Sequence, residues 1–239
     1  MELNKNKVCL INQPVGIGDV FFLQKMVDYY IGQGFFVYFP LASNLLYIKD
    51  YIIKENLQFC DVNDDFPFKQ HFNGHSFIQN ENFVYVPAFF SDRFIGGSCL
   101  ESKYKLINLD FDNWQENFTF IRNRENESQL FYEVLNLKDD ENYCFINKRW
   151  GTPPNSLTKD VYYEFEGKII EMELLDNFTV FDWCKVIENA QEISIVDTSL
   201  NYLIDKLTLK SKKNFLNSRF TPPNFSHIIN LFNTNWIYV

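Results

Sequence analysis

The sequence predicts an α/β protein of two successive halves, each built on a mainly parallel sheet with covering helices. Three observations carry that expectation. Short apolar runs rich in strand formers alternate with stretches whose apolar residues fall at helical spacing. The first of these runs ends in a glycine-containing turn that opens a helix. The alternation breaks at a polar stretch, residues 137–142 (LKDDEN), and then restarts.

Residues 7–12 (KVCLIN) read as a buried first strand, closed by Gln13 and Pro14 and followed by Gly16 and Gly18. Val20, Phe21, Leu23, Met26, Val27 and Tyr30 then recur at helical spacing over residues 19–32, with Gly32 or Gly34 as the stop. After Gly34, FFVYFP is a second strand, and Ser43 is expected to cap a helix reaching Lys54. Residues 82–86 (NFVYV) supply a further strand, giving a β-α-β-α-β start with right-handed crossovers. Residues 101–137, with Trp114, Phe118, Phe120 and Ile121, are expected to be helical. The polar break is read as a hinge that divides the chain into residues 1–138 and 139–239. Beyond it come strands at 143–147, 168–172, 192–196 and 214–216 and helices at 181–190 and 199–207. Residues 227–239 read as a last helix and strand.

Composition narrows the function classes. Hydrophobic residues at 46% and charged residues at 22% belong to a folded globular chain. The 26 Phe, the 13 Tyr and the abundant Asn look like an AT-rich coding bias, so single aromatics carry little weight. A net charge of -9 argues against nucleic acid as a partner, because a phosphate backbone is bound by surplus cations. The five cysteines are scattered without CxxC spacing, which points to a reducing, cytoplasmic setting and to no metal site. No apolar run reaches the roughly 18–20 residues that span a bilayer, which leaves peripheral membrane contact open.

Chemistry is sought at the ends of strands. Gly16 and Gly18 permit close backbone approach where the first helix begins, and Asp19 follows directly. This is neither the dinucleotide fingerprint, since Phe21 stands where its third glycine would be, nor a P-loop. The plain alternative is that Asp19 only caps its helix. A second candidate is the turn Asp197, Thr198 and Ser199, where an apolar strand ends and a helix begins; all three residue types are also ordinary helix caps. Lys148 and Arg149, followed by Gly151, Thr152, Pro153, Pro154 and Asn155, suit a pyrophosphate or else form a solvated surface pair. Glu171 and Glu173 stand two residues apart after the next strand, and the candidate for ribose hydroxyls is Glu173. His71, His75 and His227 are read as loop residues, because HFNGH does not put two imidazoles on one helical face. No GxSxG elbow for a serine nucleophile occurs.

Taken together these residues resemble the heptosyltransferase-like glycosyltransferases, a family of the GT-B fold with two Rossmann-like domains facing a cleft. The resemblance lies in Ile17, Gly18 and Asp19 near the amino end and in the run from Asp197 through Thr198, Ser199, Leu200, Asn201 and Tyr202 to Leu203 near the carboxyl end. Residues of about 60–140 are unmatched. Ser199 stands where glycine is common in the family, and Tyr202 where it has histidine. The resemblance implies an acceptor-side domain at 1–138, a nucleotide-sugar-binding domain at 139–239 and Asp19 as general base. It also implies that Lys148 or Arg149 and the N–H groups of Thr198 and Ser199 stabilise the departing nucleoside diphosphate. The expected partners are a nucleotide-sugar donor and a glycan or glycolipid acceptor, with no cofactor and no metal. The alternatives are a binding protein that keeps the fold without turnover and a divergent nucleotide-sugar-modifying enzyme.

Overall fold

The structure is a computed structural model that describes residues 7–91, 99–151, 156–228 and 231–239. The apolar runs become strands, and the strands collect into one five-stranded sheet in each of two units, Met1–Ile121 and Arg122–Val239. The first unit runs β1 (Val8–Ile11), α1 (Ile17–Phe22), α2 (Gln24–Gly32), β2 (Phe36–Leu41), β3 (Leu57–Asp61), β4 (Ile78–Gln79) and β5 (Phe83–Val86). Its strand order is β3-β2-β1-β5-β4, parallel except for the β4–β5 pair. β1 and β5 are buried at every residue, the pattern of strands covered on both faces.

Two expectations are corrected here, and one strand is added. The single helix over 19–32 is broken at Leu23, where the Gln24 amide donates to Val20 O at 2.9 Å, the carbonyl that a continuing helix would offer to the Gln24 N–H. The helix expected from Ser43 is a 3-10 segment, Ser43–Asp50, capped by Ala42; the Ser43 hydroxyl bonds the Asp61 carboxylate instead. β3 was not anticipated, because it is an edge strand whose polar Gln58 and Asp61 dilute the apolar pattern.

One face of the first sheet carries Val8, Leu10, Phe83 and Tyr85, and it is covered by an irregular stretch that delivers Phe66. The Tyr85 hydroxyl donates to Gly74 O at 2.6 Å, and Asn12 Nδ2 donates to Phe72 O at 2.5 Å. These bonds satisfy backbone carbonyls that no helix or strand partner takes. After β5 come α3 (Cys99–Lys105) and α4 (Trp114–Asn117), short helices in place of the long helical stretch expected. Aromatic contacts pin them to α1: Phe22 meets Tyr104 edge-on at 4.9 Å and Trp114 at 5.6 Å, and Phe21 stacks on Phe118 at 4.4 Å.

The division at Ile121/Arg122 falls before the polar break expected at 138/139. Arg122 explains the shift. Its guanidinium forks onto Glu127, with Nε to Oε1 at 2.7 Å, and onto Glu188, with Nη1 to Oε1 at 2.7 Å. That network commits α5 (Arg124–Ser128) and the π-helical turn Gln129–Val134 to the second unit.

The second unit continues with β6 (Tyr143–Asn147), a hairpin of β7 (Arg149–Trp150) and β8 (Leu157–Thr158), and β9 (Lys168–Glu171). A 3-10 turn, Val180–Trp183, leads into α6 (Cys184–Asn189), followed by β10 (Glu192–Val196), α7 (Leu200–Ile204), β11 (Lys213–Asn217) and β12 (Ile237–Tyr238). The sheet order is β12-β11-β10-β6-β9, with every pair parallel. Among the described residues the carboxyl-terminal stretch forms β12 but not the expected helix.

The crossover from β6 to β9 must return the chain to the amino edge of the sheet, a task usually given to a helix. Here residues 159–166 do it as an extended strap, and side chains of the sheet satisfy its backbone. Asn217 Oδ1 accepts from Tyr162 N at 2.8 Å, Ser194 Oγ donates to Tyr162 O at 2.5 Å, and Glu192 Oε1 accepts from Glu164 N at 2.7 Å. Glu192 and Ser194 share one face of β10, which explains polar side chains in a buried strand. The opposite face packs on α6 and its entry turn, where Tyr143 Oη donates to Val186 O and Phe145 meets Trp183.

Candidate functional site

In both units the chain builds strands to one side of the first strand and then crosses to its other side. That reversal lies between β1 and β5 in the first sheet and between β6 and β10 in the second. Ligands of open parallel sheets bind outside the carboxyl ends of strands at such points. The sequence candidates fall on both.

In the first unit, Gly16 adopts a left-handed conformation with φ 85° and ψ 88°. A Cβ there would stand 2.3 Å from Asp19 Oδ2, so only glycine lets the carboxylate fold back over the turn. Gly18 is buried within α1. Asp19 does more than favour its helix: its Oδ1 lies 3.3 Å from Lys103 Nζ. The Lys103 side chain is only 2% exposed, whereas that of Asp19 is 26% exposed, so the pair presents its carboxylate to solvent and hides its cation. Lys103 completes its bonding with Gln13 Oε1 at 2.6 Å and Ala88 O at 3.0 Å, from the loops after β1 and β5. A buried ammonium needs such partners.

Sequence reasoning missed Lys103. It shares one buried face of α3 with Leu100 and Tyr104, and the Tyr104 hydroxyl donates to Phe22 O at 2.6 Å, which turns that face toward α1. A lysine in the i+3 slot of an apolar stripe was the available signal.

In the second unit, Asp197 is buried directly after β10, and its backbone N–H bonds Asn217 O across to β11. Its Oδ1 accepts from Asn201 Nδ2 at 2.9 Å and its Oδ2 from His227 Nε2 at 2.8 Å, with Arg219 Nε at 3.4 Å. His227, expected to be an ordinary loop residue, and Arg219, not singled out, are thus gathered by this carboxylate. Asn201 also reaches the Thr198 N–H at 3.4 Å, and Thr198 Oγ1 accepts from Leu200 N. Thr198 and Ser199 are partly buried at the opening of α7.

The other candidates separate. Lys148 lies 3.6 Å from Glu171 and 3.7 Å from Asp160, so the carboxylate brought to the lysine is Glu171. Glu173 is exposed beyond the end of β9. Arg149 is exposed on the β7–β8 hairpin. Thr152, Pro153, Pro154 and Asn155 of the adjoining loop lie outside the described residues. His71 and His75 sit on the irregular segment over the first sheet, and His75 stacks on Phe90 at 4.4 Å. Among the described residues no group of three or more His, Cys, Asp or Glu is placed to hold a metal ion, and no helix is long and apolar enough to cross a membrane.

Neither a protein-family model nor a curated protein matches the sequence. Solved structures do match. A glycosyl transferase of family 9 from Veillonella parvula superposes with a TM-score of 0.50 at 8% identity, over 100% of this chain and 87% of its own. The chain is similar in fold to family 9 glycosyltransferases. The dodecameric iron-containing heptosyltransferase TibC, solved in complex with ADP-D-beta-D-heptose, superposes with a TM-score of 0.52 at 11% identity. That match covers 100% of this chain and 63% of TibC, so the chain spans less than two thirds of TibC's length. At such identities the likeness is one of fold.

Proposed function

We propose that the protein is a glycosyltransferase that moves a sugar from a nucleotide-sugar donor to a hydroxyl of a glycan or glycolipid acceptor. In this reading the two units are the two domains of a GT-B fold. The acceptor oxygen bonds to the anomeric carbon as the bond from that carbon to the diphosphate breaks. The bonding electrons leave with the diphosphate, and the acceptor proton passes to Asp19. Lys103 fixes the Asp19 carboxylate, and Gly16 makes room for it. On the donor side Lys148, Arg149 and the N–H groups of Thr198 and Ser199 meet the growing negative charge of the leaving group. Glu173 is the proposed ribose contact, with Glu171 as its rival because Lys148 holds it. The scheme uses no cofactor or metal and suits the cytoplasm, where the four described thiols, all free, stay reduced.

The observation that carries this reading is the solvent-facing Asp19, held by a buried lysine at the switch point of the first sheet. Asp19→Asn tests it. We expect transfer to fall by about 100-fold or more, the scale of a lost general base, while affinity for the nucleotide sugar stays unchanged. Equal transfer by the variant refutes the role of Asp19, and donor binding without turnover in the unmodified chain identifies a binding protein.

A further inference from the structure

The loop after β11 brings an arginine to the carboxyl edge of the second sheet that no motif marked. Arg219 follows Asn217 and Ser218, both buried, so its backbone is anchored at the strand end. Ser218 Oγ accepts from Phe220 N at 3.1 Å and Asn224 N at 3.0 Å, which curls the loop. Lys159 Nζ donates to Ser218 O at 2.6 Å and Phe220 O at 3.1 Å, on either side of the arginine. The guanidinium carbon lies 5.3 Å from the centre of the Phe220 ring, which supports it from one side.

The hydrogens of this guanidinium are largely uncommitted. Nε is buried and makes no hydrogen bond, its 3.4 Å approach to Asp197 being an ion pair only. Nη2 has His227 Nε2 at 3.4 Å. A carboxylate can only accept, so the 2.8 Å bond from His227 to Asp197 places a hydrogen on Nε2 and removes the lone pair that Nη2 would need. Asp197 holds the arginine by charge while its own oxygens are taken by Asn201 and His227. The Arg219 side chain remains 34% exposed beside the Asp197–Ser199 turn.

A positioned guanidinium with free donors at a sheet's switch-point edge is matched to an anion with several oxygens. We infer that Arg219 is a diphosphate-binding residue of the second unit, with Asp197 and His227 as the residues that position it. This deepens the transferase reading and rests on it for the identity of the ligand as a nucleoside diphosphate. Asp197 is then a holder of the cation and makes no donor contact itself.

Isothermal titration of the full chain with inorganic pyrophosphate, UDP, GDP and ADP, and with the matching nucleosides, tests the inference. Arg219→Met keeps the stem over Phe220 and removes the charge; Arg219→Lys keeps the charge and loses the fork. We expect pyrophosphate and the preferred diphosphate to bind Arg219→Met roughly 10- to 100-fold more weakly, the range of a charge-assisted hydrogen bond. Nucleoside affinity should be unchanged, and Arg219→Lys should fall between. In the unmodified chain the Arg219 Nε–H resonance should shift on addition of pyrophosphate, a readout independent of any variant's folding. A resonance unmoved at saturation, an unaltered diphosphate affinity in Arg219→Met, or a chain that binds no diphosphate overturns the inference. Diphosphate binding through Arg219 without sugar transfer upholds the inference and removes the transferase reading. Transfer by Arg219→Met with an unchanged donor KM does the reverse.

Discussion

Gly16→Ala separates backbone strain from the placing of Asp19. The new Cβ enters a left-handed conformation, φ 85°, that disfavours an L side chain by about 1–2 kcal/mol. It also stands 2.3 Å from Asp19 Oδ2, far inside contact distance. The carboxylate is the free end of a short side chain, so it swings away and leaves Lys103, which is then a buried cation with Gln13 and Ala88 O as its remaining partners. Losing the carboxylate adds about 1–2 kcal/mol, discounted because Asp19 is partly exposed. In an Asp19→Ala background nothing is left to collide, and Lys103 has already lost its partner. There the glycine substitution should reduce stability only by its backbone part. Urea unfolding of the four proteins in this cycle should give a coupling of about 1–2 kcal/mol between positions 16 and 19. An equal effect of Gly16→Ala in both backgrounds refutes the idea that glycine is there to make room for the carboxylate.

Three further outcomes follow from the packing. Arg122→Met should destabilise the second unit by about 3–5 kcal/mol in thermal or urea unfolding, because it leaves the buried Glu127 carboxylate with only the exposed Arg124 at 3.4 Å; replacing Arg122 and Glu127 together by apolar residues should recover much of the loss. Tyr85→Phe leaves Gly74 O without its donor and should cost about 1–3 kcal/mol, with faster hydrogen exchange over residues 72–75 than elsewhere in the first unit. Burial pushes the thiols of Cys60 and Cys144 up to about 12 from an ordinary 9.0 and raises those of Cys9 and Cys184 as well. In a Cys99→Ser chain at pH 8, a thiol reagent should therefore label these four only on unfolding. Above about pH 9 the unfolded thiols lose protons that the folded ones retain, so stability should be level below that pH and fall with further rise; stability that instead grows from pH 9 to 11 contradicts the burial.

The strands legible in the sequence are those buried on both faces. β6 and β10 match their apolar runs residue for residue, because a central parallel strand reads as an unbroken apolar segment. β3, at an edge with polar residues facing out, does not, and neither does the strap over 159–166, whose backbone depends on Asn217, Ser194 and Glu192 far along the chain. The site divides in the same way. Gly16, Asp19 and the Asp197–Ser199 turn were visible because a strand-to-helix junction has a local signature. Their partners Lys103, Arg219 and His227 come from other elements; the apolar stripe around Lys103 marks it as buried but not what it meets, and nothing beside Arg219 or His227 marks their contact. Glu171 and Glu173 could not be told apart, since a two-residue spacing puts both on one face of a strand; what separates them is that β9 ends at Glu171, so that Glu173 lies beyond the strand and Glu171 meets Lys148.

The most direct measurement is release of nucleoside diphosphate from a panel of UDP-, GDP- and ADP-sugars by the unmodified chain, with and without glycan acceptors. Turnover of at least one donor above the uncatalysed background, abolished by Asp19→Asn, is the predicted result. A chain that binds none of these donors and cleaves none contradicts the assignment as a glycosyltransferase.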